Sequence, residues 1–386
     1  MVLKPNGSVQ VVDIGEAEVL DQAIASAVST TREAQIDAAQ RLDAVSQLLL
    51  APLQQATAGA KTWFVSPDGE LNRLPFAALQ APGGKGYLAE AVDLRLLTTG
   101  RELLDLQQAS PSAKSAALVV ADPAYDSSGG GGSTTAAAVN SVGSSDGRQR
   151  SSDLPEQLKW DRLPATAQEG ETVKTITGGS LLVQQQATAE AVKGTPAPKI
   201  LHLATHAFYL PNQPQQQPEL GAGLLDQRGS RGVVRTKSLQ GESPLLRSGI
   251  ALAGANQPNA DPKDDGYLTA LEVAQLSWEG TDLVVISACE SGLGDLQVGE
   301  GVYGLKRAIA VAGARSSLLS LWKVDDSATA AFMESFYKRL KEGKGKAEAL
   351  AATQKEFRSH PIPMWREPYV WAAFQLSGDW GPVQGL

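Results

Sequence analysis

The chain has 386 residues but one cysteine and three histidines. A lone thiol cannot close an internal disulfide, which removes the disulfide-stapled secreted class and leaves a thiol kept for packing or reactivity. No uninterrupted apolar run approaches the ~20 residues that span a bilayer. The opening "MVLKPNGSVQVVDIG" has no signal-peptide core, so a cytoplasmic location away from membranes is expected. Basic charge is in short supply as well. Thirty-four Lys and Arg face 42 Asp and Glu, a net charge of −8, which argues against a general nucleic-acid binder with its basic face. No G-x-x-x-x-G-K-[ST] occurs, which sets aside the P-loop class. No repeat of roughly 34 residues is visible, so the helical stretch from about Glu16 to Ala60 is not a solenoid. His202 and His206 stand about 13 Å apart if on one strand, too far to share a metal, and the glutamate of H-E-x-x-H is missing. No cofactor or metal is expected.

What is present is apolar material, 42% of the residues, in short runs. Asn6-Gly7 marks a hairpin turn between two β-type runs. The first run is clipped at Met1, as expected of a chain starting inside a larger architecture or of a shortened relative. Leu20, Ile24, Val28, then Ile36, Leu42, Val45, Leu48 and Leu49 recur at helical spacing. "TWFVSPDGELNRLPFAAL" reads as a second hairpin, closed around Pro67-Asp68-Gly69. "VDLRLLTTG", "RELLDLQQ" and "AALVVADP" read as strand, helix and strand. Ser127 to Asp153 has the Gly/Ser composition of a linker or surface insert. Beyond it, apolar strands alternate with helices: "SLLVQQQA", "TAEAVKG", "KILHLAT", a polar excursion from Pro211 to Ser248, "GIALAGA", "LTALEVAQL", "DLVVISA", "GVYGLKRAIAVAG", "SSLLSLWKV", two helices and "WAAFQLSG". Such alternation predicts an α/β fold with a mostly parallel sheet covered on both faces.

In sheets of this kind reactive groups gather beyond the carboxyl ends of the strands. Cys289 ends "DLVVISA", and His206 ends "KILHLATH". A cysteine on a buried strand is usually a small core residue, and a histidine at a strand end is usually structural. Together, each at the carboxyl end of an apolar strand with small residues after it, they point to a dyad. If the two strands are neighbours, about 4.8 Å apart, imidazole can take the thiol proton and the thiolate can attack a carbonyl. His360, beside Pro361, reads as surface structure.

"KILHLATHAF", "GYLTALEVAQL", "LVVISACESGLGD" and "SSLLSLWKVDD" resemble the CHAT domain, a caspase-like peptidase domain often attached to tetratricopeptide repeats. "GSVQVVDIG" and "VSPDGELNRLPFAAL" are similar to that domain's amino-terminal part, so the resemblance covers nearly the whole chain except the Gly/Ser insert. It implies a caspase-like fold related to separase and caspases. Residues 1–123 would form a degenerate pseudo-peptidase subdomain, 124–158 a linker, and 159–386 the catalytic part. It makes His206 the general base and Cys289 the nucleophile, with an oxyanion hole at the backbone N–H groups of Cys289 and Ala207. Ala207 stands where the caspase-like group often has glycine. The implied partner is a protein or peptide substrate. A regulatory protein is a further expected partner; the tetratricopeptide array of many relatives is missing from this chain, which puts any regulation that array carries in doubt.

"SLLSLWKVDD" ends a strand two places along from the one carrying Cys289, at the same rim. Asp325 and Asp326 there suit the N-cap of the next helix. The stretch also resembles a tryptophan-containing segment of separase that supplies an acid to the P1 pocket, with Asp326 matching that acid. One aspartate can cap while the other meets a substrate cation, and a carboxylate in a pocket favours arginine over lysine. Cleavage after Arg, then Lys, is therefore expected. Arg148 and Arg150 in the insert, and Arg228, Arg231 and Arg235 in the excursion, are expected processing or control sites if those loops are exposed. Gly299 to Gly304 matches G-x-G-x-x-G, but no strand runs straight into it, so a dinucleotide site is not expected. The rival of another class is a catalytically silent interaction scaffold on the same fold.

Overall fold

Every residue of Leu283–Ile286 and of Ile200–Ala204 is buried, the signature of strands covered on both faces. A computed structural model shows how they are covered. It describes residues 1–84, 86–108, 111–127, 159–209, 245–257, 265–287, 289–290 and 299–386. Arg148, Arg150, Arg228, Arg231 and Arg235 lie outside the described residues.

In chain order, β1 (Val2–Leu3) and β2 (Val9–Gln10) form the antiparallel hairpin expected at Asn6-Gly7, with Gly7 at φ +82°. Helices α1 (Ala17–Arg32) and α2 (Ala38–Leu49) follow and pack on each other. Next come β3 (Thr62–Val65), α3 (Leu88–Ala91), β4 (Asp93–Leu96), α4 (Glu102–Asp105) and β5 (Leu118–Pro123). The second half runs α5 (Ala165–Thr177), β6 (Ser180–Gln184), α6 (Ala189–Gly194), β7 (Ile200–Ala204), β8 (His206–Tyr209), β9 (Ser248–Ala251), β10 (Tyr267–Thr269) and α7 (Ala270–Ala274). It closes with β11 (Leu283–Ile286), β12 (Cys289–Glu290), α8 (Gly299–Val311), β13 (Ser316–Ser320), α9 (Asp326–Lys341), α10 (Lys346–Arg358), α11 (Pro368–Trp371) and β14 (Phe374–Gly378).

The central sheet has eight strands in the order β3-β4-β14-β13-β11-β7-β5-β6. Every pairing in it is parallel except β13 with β14. The fold is α/β, with a mostly parallel sheet flanked by helices. Strands β3, β4 and β5, from the first 123 residues, are members of this sheet, so the ladder runs unbroken from the amino-terminal part into the rest. A second sheet of four strands, β10-β9-β8-β12, rises from its rim.

The expected hairpin at Pro67-Asp68-Gly69 is not formed. β3 pairs in parallel with β4, Thr62 opposite Asp93, and the intervening chain makes 3-10 turns at Gly69–Arg73 and Phe76–Ala78. Asp68 serves the first turn by accepting the Gly69 N–H at 2.9 Å. Pro75 has no N–H to give a ladder, and the buried side chains Leu74, Phe76 and Leu79 follow no strand alternation.

Helix α5 lies close to the sheet because Gly170 has no side chain. A Cβ there would stand 2.8 Å from Ala121 Cβ and 2.9 Å from Leu181 Cδ1. Helix α9 packs against both α5 and α10 through a stripe that includes Phe332, Met333, Phe336 and Tyr337, all fully buried. No helix among the described residues is long and apolar enough to cross a membrane.

Candidate functional site

The site begins with two strands that leave the central sheet together. β7 and β11 are parallel neighbours, with Ile286 opposite Leu203. Three residues further on, both chains have entered the smaller sheet, and there β12 lies parallel to β8 with Cys289 opposite His206. Both pairs are separated by the same 83 residues, so the register of the core is carried intact to the rim. Paired residues on adjacent strands stand about 4.8 Å apart in the hydrogen-bonding direction. The backbone of Cys289 and the backbone of His206 are thus direct neighbours. Ala207 comes next, buried, opposite Glu290 on one side and Ile250 on the other, so its amide sits in an interior strand of the small sheet.

The His206 ring is almost fully enclosed. Its Nε2 lies 2.7 Å from the carbonyl oxygen of Asp161. A carbonyl only accepts, so Nε2 carries the proton, and in the neutral ring the basic lone pair is on Nδ1. Tyr125 and Trp160 flank the ring with centroids at 5.3 and 5.4 Å. Both aromatic groups are anchored by their own polar atoms. The Tyr125 hydroxyl donates to Thr205 Oγ1 at 2.7 Å, because Thr205 spends its proton on the Ala251 carbonyl at 2.6 Å. The Trp160 indole donates to the Tyr267 hydroxyl at 2.9 Å, which in turn donates to the Ala255 carbonyl at 2.9 Å. Phe208 fills the remaining space, 6.1 Å from Trp160 and 5.6 Å from Tyr267. The result is a separate apolar cluster of Tyr125, Trp160, Phe208, Ala251, Ala255 and Tyr267 at the rim. Sequence reasoning misses Asp161 because a main-chain carbonyl leaves no residue-type signal. Trp160, in "LKWDRL" directly after the insert, is the one visible clue.

Four residues before His206, His202 has a different setting. It is fully buried, with Nδ1 3.0 Å from the Tyr337 hydroxyl and Nε2 3.1 Å from Glu169 Oε1. Burial, with the nearby Glu169 carboxylate, holds the Tyr337 phenol well above its ordinary pKa. This network ties α5, β7 and α9 together across the core. His360 lies in the exposed turn after α10, its ring 4.5 Å from that of Trp365.

The two aspartates part company. β13 lies directly beside β11, not two places along, and the chain reaches α9 through the buried Trp322 and Val324. Asp325 is the N-cap, its Oδ1 accepting the Ala328 N–H at 3.0 Å. Asp326, half-buried, opens the helix, and its carboxylate makes no hydrogen bond or ion pair among the described residues. Further along, α8 buries Lys306, whose Nζ donates to the Leu97 carbonyl at 3.2 Å; burial pulls its pKa down to about 8, against the pull of Glu102. Among the described residues no group of three His, Cys, Asp or Glu side chains is arranged to hold a metal ion.

The family model of the CHAT domain matches residues 39–379, and the chain belongs to the CHAT domain family, which is related to the caspase-like cysteine peptidases. Human tetratricopeptide repeat protein 28 is similar to it, 27% identical over 316 residues, covering 81% of this chain and 12% of that protein. The mouse protein of the same name is 26% identical over 319 residues, with the same coverage. The chain thus spans about an eighth of the length of these relatives.

Proposed function

We propose that the protein is a cysteine endopeptidase that uses Cys289 as nucleophile and His206 as general base. The observation that carries this reading is the parallel register that sets Cys289 opposite His206 at the rim of a CHAT-family sheet. A free thiol with a pKa of ~8.5 is mostly protonated at neutral pH, so the reaction begins with proton transfer to Nδ1 of His206. The thiolate attacks the scissile carbonyl carbon, and the carbonyl π electrons move onto oxygen. Backbone N–H groups of Cys289 and Ala207 receive that oxyanion. On collapse the C–N bond breaks, the imidazolium gives its proton to the departing amine, and a thioester remains. Water, losing a proton to His206, then hydrolyses the thioester and restores the thiol.

Substrate choice follows from Asp326. Asp325 is occupied as a cap, which leaves Asp326 to receive a P1 guanidinium in a bidentate pair, with arginine preferred to lysine. In this reading residues 1–123 act as a pseudo-peptidase support, 159–386 carry the chemistry, and the single cysteine suits a reducing compartment such as the cytoplasm. Protein partners are part of it too, because the relatives carry a tetratricopeptide-repeat name. The burial of His206 among Tyr125, Trp160 and Phe208 favours a second reading, a silent interaction scaffold.

A thiol-reactive peptide analogue with arginine at P1 separates the two. Stoichiometric labelling at Cys289 with turnover of basic-P1 peptides, both absent from Cys289→Ala, supports the peptidase. Turnover that survives in Cys289→Ala removes it.

A further inference from the structure

The carbonyl that meets His206 belongs to a short segment, 159–163, with little regular structure of its own. Such a segment delivers a carbonyl to one point only if something else fixes it. On the amino side of Asp161, Asn256 grips the Trp160 backbone from both ends. Its Oδ1 accepts the Trp160 N–H at 2.8 Å and its Nδ2 donates to the Trp160 carbonyl at 3.0 Å. Asn256 is itself held, since Nδ2 also donates to Asp126 Oδ1 at 2.8 Å and its N–H donates to the Tyr125 carbonyl at 2.9 Å. On the carboxyl side, Arg162 makes a two-pronged pair with Asp122, Nε to Oδ1 at 2.9 Å and Nη2 to Oδ2 at 2.7 Å.

Asp122 is not an ordinary surface acid. It is buried at the end of β5 with φ +45°, a left-handed conformation uncommon for a residue with a side chain. Thr166 Oγ1 accepts its N–H at 2.9 Å, and Gln184, also left-handed at φ +53°, donates to its carbonyl at 2.9 Å and to its carboxylate. Backbone strain of this kind persists where surrounding structure holds it, and it clusters at working sites.

We infer that Asn256 and the Asp122–Arg162 pair are positioning residues: they clamp the segment on either side of Asp161 and so hold its carbonyl on Nε2 of His206. The clamp keeps the proton on Nε2, restrains the ring between Tyr125 and Trp160, and presents the Nδ1 lone pair as the base. None of the three is bonded to His206 in the contacts described, and all act through the segment that carries the Asp161 carbonyl. The inference rests on the peptidase reading for its catalytic meaning, but its physical content is separable.

With three histidines in the chain, selective 15N labelling resolves each ring. In the wild type, His206 should give an Nε2–H correlation protected from solvent exchange. In Asn256→Ala and in Arg162→Gln, that proton should exchange about tenfold faster, with kcat lower by about tenfold and KM within about twofold. Arg162 is largely exposed, so its substitution tests the clamp even if Asn256→Ala folds poorly. The His202 ring, held across the core, is the internal standard and should not respond. An unchanged His206 Nε2–H exchange rate in both variants overturns the clamp. Faster exchange in a protein that cleaves no peptide keeps the clamp and overturns the peptidase.

Discussion

His202 and His206 are four residues apart, and their surroundings have almost nothing in common. His202 is bound at both nitrogens, by a carboxylate and a phenol, inside the layer where α5 and α9 meet the sheet. His206 has a neutral carbonyl on Nε2 and aromatic rings on its flanks, at the edge where the small sheet leaves the large one. A Glu–His–Tyr set suggests catalysis more readily on paper than a His beside a carbonyl does. Yet it is His206 whose backbone is paired with Cys289, and the carboxylate serves the core. In the peptidase reading, the group that orients the base is not an acid but an acceptor in the right place, and the Asp161 carbonyl supplies one without adding charge to a dry pocket.

The sharpest way to break that contrast is to remove each ring. If His206 is the base, His206→Ala should lower turnover by roughly 10²–10⁴-fold, and the cost of emptying its enclosed ring site, about 1–2 kcal/mol, should be the lesser effect. His202→Ala should do the reverse. It leaves Glu169 and Tyr337 buried with one partner fewer, which should cost about 3 kcal/mol, while each folded molecule keeps its kcat. Denaturant unfolding with active-site titration measures both. A His202→Ala enzyme that is stable but inactive would erase the distinction between the two regions.

Lys306 extends the comparison from the dry core to its pH response. Its folded-state pKa is pulled down to about 8 by burial, whereas the unfolded chain holds the proton to ~10.4. Between these values the unfolded state binds more protons, so stability rises with pH. Below pH 8 both states are protonated and the full desolvation penalty is present. The expected gain from pH 8 to 10 is on the order of 2 kcal/mol, and Lys306→Met should flatten it. A wild-type curve that falls over this range would contradict the burial of Lys306.

Much of the fold is legible in the residues themselves. Asn6-Gly7 forms its hairpin, because two residues of turn chemistry decide a contact of short range. The alternation after the insert becomes the parallel sheet, because wholly apolar strands such as Leu283–Ile286 have no other use. Two of the failures share a cause. Pro67-Asp68-Gly69 carries a hairpin signal, but β3 finds its partner in β4, 31 residues from Thr62 to Asp93, and long-range pairing overrides the local turn. The partners of His202 lie 33 and 135 residues away, and only folding brings them in. The Asp161 carbonyl is invisible for a plainer reason, since every residue has one.

The smallest expected effects fall on the aspartate pair, and they sharpen the contrast between structure and chemistry within two adjacent residues. Asp325 accepts the Ala328 N–H and caps α9, so Asp325→Ala should cost about 1 kcal/mol and leave the P1 profile unchanged. Asp326 has no hydrogen bond or ion pair to lose among the described residues, only the favourable placement of an anion at a helix N-terminus, worth a few tenths of a kcal/mol. Asp326→Ala should therefore be nearly silent in a melting experiment. If its carboxylate meets the P1 cation, the same variant should lose kcat/KM for arginine substrates about tenfold more than for lysine ones, because only the guanidinium forfeits two parallel hydrogen bonds. Asp326→Asn, which keeps the size but not the charge, should lose both. An arginine-to-lysine ratio unchanged in Asp325→Ala and in Asp326→Ala alike would move the specificity pocket elsewhere on the rim.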